Sequence, residues 1–199
     1  MPEVAAIVLA AGRSRRMGAA NKLLLPVEGV PMIRHVVDQY RAALDGSVTV
    51  VLGHEAERVG AALRGSGAVC VFNPDHDAGQ QASVACGLAD APEVDLLLIG
   101  LGDQPVLQAR DIRDLVAAHG AGMRISIPVR GDRRGNPIVV PRILRARLLA
   151  DPERPGCMRF TRAHPELVER HALEAAGFYA DVDTPEDYAA VVPAQDPVP

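Results

Sequence analysis

The stretch Val4–Pro26, VAAIVLAAGRSRRMGAANKLLLP, decides how the rest of the chain is read. It opens with the apolar run Val4–Leu9, turns at Ala10-Ala11-Gly12 and enters a loop carrying Arg13, Arg15 and Arg16. Gly18 and Lys22 follow, then a second apolar run that stops at Pro26. A short apolar run bounded by glycine predicts a buried strand. Ala and Gly directly after such a strand leave the backbone open to a ligand, because little side chain stands in the way. The arginines and the lysine put positive charge at the mouth of that turn. Strand, tight turn and cationic loop together point to a site for a nucleoside triphosphate.

Two familiar phosphate motifs do not account for it. A Walker P-loop reads G-x-x-x-x-G-K-[ST]; here Lys22 stands apart from Gly18 and is followed by Leu23. The dinucleotide fingerprint G-x-G-x-x-G is absent, since no G-x-G in the chain has a third glycine at the required spacing. A basic surface loop after an edge strand is the plain alternative. Against it stands Lys22, the only lysine of the chain. A compact ammonium suits phosphate recognition as a point charge, a role distinct from that of the arginine fork.

Composition narrows the classes. The 199 residues suffice for one α/β domain with a sizeable core. Aromatic residues make up 3%, with no Trp, so the core is built from Ala, Val, Leu and Ile, and a stacking platform for single-stranded nucleic acid is disfavoured. A net charge of −4 supplies no basic field for DNA or a membrane surface. Cys70, Cys86 and Cys157 are scattered and odd in number, which argues against a disulfide framework or zinc knuckle and for a reducing, cytoplasmic setting. No leader-like or bilayer-spanning apolar run is expected.

Periodicity predicts alternating strands and helices. A tight turn at Val27–Val30 leads to a helix with Met32, Ile33, Val36, Val37 and Tyr40 inward. Strand Val48–Leu52, helix Glu55–Leu63, strand Val69–Phe72, helix Gln81–Ala89 and the very apolar strand Leu96–Leu101 follow. The second half predicts a helix at Asp111–Ala118, strands at Ile125–Pro128 and Ile138–Val140 around a polar loop Arg130–Gly135, and a short helix at Pro141–Leu149. After a loop at Asp151–Gly156 come candidate strands at Leu167–Arg170 and Tyr179–Val182, then a helix at Pro185–Val191 capped by Asp183 or Thr184. The expected fold is a single α/β domain, Rossmann-like and three-layered, with a mostly parallel sheet built from right-handed βαβ units. The domain is expected over residues 1–192, with a nucleotide half to about 105, an acceptor half over 106–192 and a frayed tail at 193–199.

Asp103, in Leu96-Leu-Leu-Ile-Gly-Leu-Gly-Asp-Gln-Pro105, falls just past the carboxyl end of a buried strand, where ligands bind in open α/β sheets. A carboxylate there can hold Mg²⁺, which takes one or two carboxylates together with phosphate oxygens and waters. Its alternative is to cap the turn into the next helix. No metal-spaced histidine cluster, G-x-S-x-G elbow or marked Ser or Cys nucleophile is present.

L-A-A-G-R-S-R-R-M-G followed by K-L-L-L-P resembles the signature of nucleotidyltransferases that activate molybdopterin, sugar phosphates and methylerythritol phosphate. L-G-D-Q-P resembles the metal motif of the molybdenum cofactor cytidylyltransferases, and ordered blocks from Val4 to Asp187 carry the likeness along nearly the whole chain. The resemblance implies backbone contacts to base and ribose from Leu9, Ala10, Ala11 and Gly12, and base contacts from Gly79 and Ser83. Ser83 has helix capping as its alternative. Lys22 and an arginine of the loop, Arg16 by preference, would offset triphosphate charge. D-V-D-T-P-E-D implies Asp183 as a second metal contact, weighed equally against helix capping. R-R-G-N-P-I resembles the acceptor segment R-R-G-H-P-V, placing Arg133, Arg134 and Asn136 toward an anionic pterin, with Asn136 where the family has His. Gly156–Arg159 matches a further G-A-R segment only in part. The implied reaction is Mg²⁺-dependent transfer of CMP from CTP to a molybdopterin-type acceptor, with a molybdenum hydroxylase as a possible client. Alternatives are a GTP-using relative or one with another phosphorylated acceptor, an NAD(P)H-dependent enzyme like the nicotine blue oxidoreductases of the same family, and a non-catalytic cofactor carrier.

Overall fold

Val4–Ala10 forms β1, and its alternation sends Ala5, Ile7 and Leu9 to one face and Ala6, Val8 and Ala10 to the other, all buried. A strand buried on both faces needs cover on both, and the chain supplies it. The computed structural model describes residues 2–18, 20–150 and 157–192. After a small hairpin of β2 (Pro26–Val27) and β3 (Val30–Pro31) come α1 (Met32–Ala43), β4 (Val48–Leu52), α2 (Ala56–Ala62) and β5 (Val69–Phe72). Then follow α3 (Gln80–Ala89), β6 (Leu96–Leu101), α4 (Ala109–His119), β7 (Ile125–Arg130), β8 (Arg133–Arg134), β9 (Ile138–Pro141) and α5 (Arg142–Leu149). Last come α6 (Cys157–Ala163), β10 (Val168–Ala172) and α7 (Pro185–Val191).

The main sheet has the order β10-β7-β9-β6-β1-β4-β5, with β8 paired to β7. Its neighbours run parallel except at β9, which is antiparallel to β6 and β7, and at the β7–β8 hairpin. One core gathers Ile33, Val36, Val37 and Tyr40 of α1 with Val59 of α2 and Ile112 and Leu115 of α4. The opposite core holds Val84 and Leu88 of α3, Leu144 and Leu148 of α5, and Phe160 of α6. This is the expected single α/β domain with a three-layer, mostly parallel architecture. The chain steps from β1 outward to β4 and β5, then returns across to β6 on the other side of β1. The sheet order therefore reverses between β1 and β6, and the carboxyl ends of those two strands open a crevice.

Three sequence expectations need correction. Tyr179–Val182 is not a strand: Tyr179 closes a short turn at Ala176–Phe178, and Val182 makes one backbone bond, donating to the Asp103 carbonyl at 2.9 Å. Phe178, Tyr179 and Val182 are apolar because they are buried in the α1/α4 core, not because they join a ladder. The loop Arg130–Gly135 is a tight hairpin, pairing Val129 with Arg134 and Arg130 with Arg133. The last strand begins at Val168, since Leu167 belongs to a preceding single turn. Helix α6 was not expected from the sequence. The expected loop at 151–156 and tail at 193–199 lie outside the described residues.

Candidate active site

The crevice is shaped by close backbone approach. Gly102, just past β6, donates its N–H to the Leu9 carbonyl at 2.9 Å, and a Cβ there would stand 2.7 Å from the Ile33 side chain. Gly53, after β4, leaves no room for a Cβ, which would meet His76 at 2.6 Å and Ala11 at 2.7 Å. These contacts draw the ends of β1, β4 and β6 together beneath the signature loop.

The loop is built to aim Lys22 inward. Ser14 takes a left-handed backbone at φ 50°, its carbonyl accepts from Met17 N at 2.8 Å, and its Oγ accepts from Lys22 N at 3.2 Å. Met17 and Leu23 are buried on either side, and Asn21 Oδ1 caps the next turn by accepting from Leu23 N at 3.1 Å. Held at both ends, Lys22 reaches Asp103 Oδ2 at 2.5 Å and Asp183 Oδ1 at 2.9 Å. Arg16, more exposed, takes the other oxygen of Asp183 at 2.8 Å. Asp103 Oδ1 is buried with no partner.

Neither carboxylate serves a helix. Thr184 caps α7 through a reciprocal box with Asp187, and Gln108 with Asp111 caps α4. Burial would pull the Lys22 ammonium down, but Asp103 and then Asp183 outweigh it and hold its pKa above the ordinary value. Burial raises the Asp103 carboxyl, with Asp181 and Asp183 pushing the same way against the opposing pull of Lys22. This pocket therefore favours a cation beside Asp103.

A cavity of about 520 Å³ opens above this cluster. It is lined by Leu9, Ala10, Ala11 and Gly12, by Lys22, Arg16 and Asp103, and by Gly79, Ser83 and Asp183. Ser83 lies on the fourth residue of α3 and accepts from Asn73 Nδ2 at 3.1 Å, so it does not cap the helix. A second cavity of similar volume adjoins the first, and Leu9, Gln80 and Leu101 line both. Arg134, Asn136, Arg159 and Asp181 line the second cavity. Arg134 is anchored by a hydrogen bond to Thr161 Oγ1, and burial lowers its pKa. The peptide between Asn136 and Pro137 is cis. Arg133 does not line this cavity: its guanidinium bonds the Tyr179 carbonyl and lies over that ring.

Sequence reasoning singled out neither Asp77 nor Gln80 in the first cavity, nor Asp181 in the second. Arg13 and Asp77 form a bidentate ion pair across the mouth of the first. Asp181 carried a signal, since it shares the D-V-D motif with Asp183; Asp77 and Gln80 had none at the level of spacing.

Asp103 and Asp183 fit a divalent cation on two grounds, their acidic oxygens crowded around one ammonium and the orphaned Oδ1 of Asp103. Among the described residues no group of three His, Cys, Asp or Glu is placed to hold a metal without help. A divalent cation held by these two carboxylates would complete its shell with phosphate and water oxygens.

The chain matches the MobA-like NTP transferase domain over residues 6–168. It belongs to that family. Solved structures agree: Rv0371c from Mycobacterium tuberculosis superposes with a TM-score of 0.83 at 27% identity, covering 97% of this chain and 98% of that one. A manganese complex of that protein superposes at 0.76, with 25% identity and 96% and 98% coverage. Among curated relatives, the bifunctional protein GlmU of Pelobacter propionicus is 35% identical over 147 residues, which are 73% of this chain and 32% of GlmU. The chain thus spans about a third of that relative's length. Nicotine blue oxidoreductase of Paenarthrobacter nicotinovorans is 30% identical over 194 residues, covering 94% of this chain and 95% of that protein. Among the described residues no helix is long and apolar enough to cross a membrane.

Proposed function

We propose that this family member transfers CMP from CTP to the terminal phosphate of a molybdopterin-type acceptor, releasing pyrophosphate. The observation that carries transfer chemistry is the convergence of Lys22, Asp103 and Asp183 at the wall of a cavity that adjoins a second one. The nucleotide would fill the first cavity, its base and ribose against the backbone of Leu9–Gly12 and against Gly79 and Ser83. The acceptor would fill the second, its anionic group near Arg134 and its heterocycle near Asn136. The nucleotide side is then supplied mainly by residues up to about 105 and the acceptor side by later ones.

In the reaction an acceptor phosphate oxygen attacks the α-phosphorus of CTP in line, the α–β bridging bond breaks and pyrophosphate leaves. Such a step needs positioning and charge neutralisation and no covalent enzyme intermediate. Lys22 and Arg16 would stabilise charge developing on the triphosphate. Asp103 and Asp183 would hold Mg²⁺, which when bound neutralises phosphate oxygens. The preference for CTP and for a molybdopterin-type acceptor rests on the likeness of L-A-A-G-R-S-R-R-M-G, L-G-D-Q-P and R-R-G-N-P to the cytidylyltransferase motifs. A cytoplasmic setting and delivery to a molybdenum hydroxylase belong to the same reading. The test is the mass of the product: acceptor incubated with CTP and Mg²⁺ should gain one CMP.

A second reading is favoured by the nicotine blue oxidoreductase, which matches along almost its whole length. It predicts loss of NAD(P)H absorbance with an oxidised heterocyclic substrate and no CMP adduct. The buried lysine–carboxylate cluster gives a hydride transfer no evident use, so transferase chemistry is preferred.

A further inference from the structure

We propose that Lys22 is the gate of its own metal site: in the nucleotide-free protein its ammonium occupies the place of the cation, and the metal enters only as a chelate with a nucleoside triphosphate. This rests on the nucleotidyl transfer reading and adds an order of assembly to it. Of the four carboxylate oxygens on Asp103 and Asp183, Lys22 takes one from each and Arg16 takes a third. Only Asp103 Oδ1 is left, and it is buried. A free divalent cation arriving here meets a positive charge already seated between its two ligands, and like charges repel strongly in a pocket this screened from water. Lys22 is itself largely buried, with 11% of its side chain exposed, and leaving both carboxylates would strip its ammonium of its two ion-pair partners. It needs another anion to move to. The cavity wall offers that route: Lys22, Arg13, Arg15 and Arg16 all face the space where phosphates would sit. A triphosphate gives the ammonium a new partner and vacates the carboxylates in the same event, bringing the metal that replaces it. Metal and nucleotide then bind with positive coupling, and by linkage each tightens the other equally.

The experiment uses Mn²⁺ alone as probe, followed by electron paramagnetic resonance at pH 8 on the intact protein. Wild type should bind it weakly. Lys22→Met, which keeps the apolar stem and removes the charge, should bind it more tightly by roughly tenfold or more. Adding Asp103→Asn to Lys22→Met should reverse that gain. Equal Mn²⁺ affinity in wild type and Lys22→Met overturns the gate. A second readout needs no substitution, because Lys22 is the only lysine. Protein grown with side-chain ¹⁵N-lysine shows one ammonium signal, which should stay in place with Mg²⁺ alone and shift when the nucleoside triphosphate that supports pyrophosphate release is added with it. A signal that moves with Mg²⁺ alone, or stays put with both, also overturns the gate. Neither readout measures turnover, so normal pyrophosphate release with a failed Mn²⁺ result condemns the gate alone, while absent release with every nucleotide condemns the transfer reading.

Discussion

Lys22 is the residue on which most of the site depends, because it is tied to two acidic side chains that lie far from it and from each other in the sequence. Replacing it with Ala should lower turnover by roughly 10²–10³-fold if it clamps charge in the transition state. Steady-state pyrophosphate release measures this, and near-wild-type turnover would remove Lys22 from the mechanism. A second residue sets a pH dependence away from the site. His119 is buried, with Nδ1 2.8 Å from Ser126 Oγ, which in turn lies 2.9 Å from His171 Nε2. Burial holds its pKa below the usual histidine value, and His171 acts the same way. The unfolded chain protonates this histidine near about pH 6.5. The native state resists that proton, so stability is full above about pH 6.5 and falls as pH drops toward the native value. Melting temperature followed from pH 8 to 5.5 should show this loss, and His119→Gln should flatten it; an unchanged slope would contradict the assignment. At this scale the sequence was partly legible. Lys22 stood out as a lone lysine, and Asp103 by its place after an apolar strand. Asp183 came only through a motif, because no spacing rule links positions 161 residues apart. Arg133 was grouped with Arg134 through the likeness of R-R-G-N-P-I to an acceptor segment, yet neighbours on a strand point to opposite faces, and only Arg134 lines the cavity.

At the level of elements, β6 and α1 meet at a tight point that the motif L-I-G-L-G-D hides. A Cβ on Gly100 would lie 1.8 Å from the Tyr40 hydroxyl, which is fully buried and without a hydrogen-bond partner. Gly100→Ala should therefore destabilise the fold by roughly 1–3 kcal/mol through overpacking. Tyr40→Phe, which deletes the unpartnered hydroxyl, should cost little alone and recover part of the loss in the double variant. Denaturant unfolding of the four proteins decides it, and purely additive effects would contradict the contact. The strands at Val48–Leu52, Val69–Phe72 and Leu96–Leu101 were legible because short apolar runs bounded by turn residues have one good reading. Helix α6 was not, since Met158, Arg159 and Arg162 show little apolar stripe and only Phe160 and Thr161 are buried. Residues 179–182 misled for the converse reason, an apolar loop segment serving the core without a ladder.

Across the whole molecule, the reversal of strand order at β1 and β6 places two adjoining cavities at one sheet edge. The division of labour predicts separable kinetics. Arg134→Gln should raise the acceptor KM by roughly 10- to 100-fold, the worth of a hydrogen bond to a charged group, while leaving the CTP KM near wild type. A parallel rise in both would mean that the second cavity is not the acceptor's. The most direct test of the central claim is pyrophosphate release with Mg²⁺ and a molybdopterin-type acceptor, offering CTP, GTP, ATP and UTP in parallel. Release with CTP, dependent on the acceptor, is expected. Release with GTP in place of CTP would correct the base preference and keep the chemistry, whereas no release with any nucleotide from folded protein would contradict nucleotidyl transfer and favour the NAD(P)H-dependent reading.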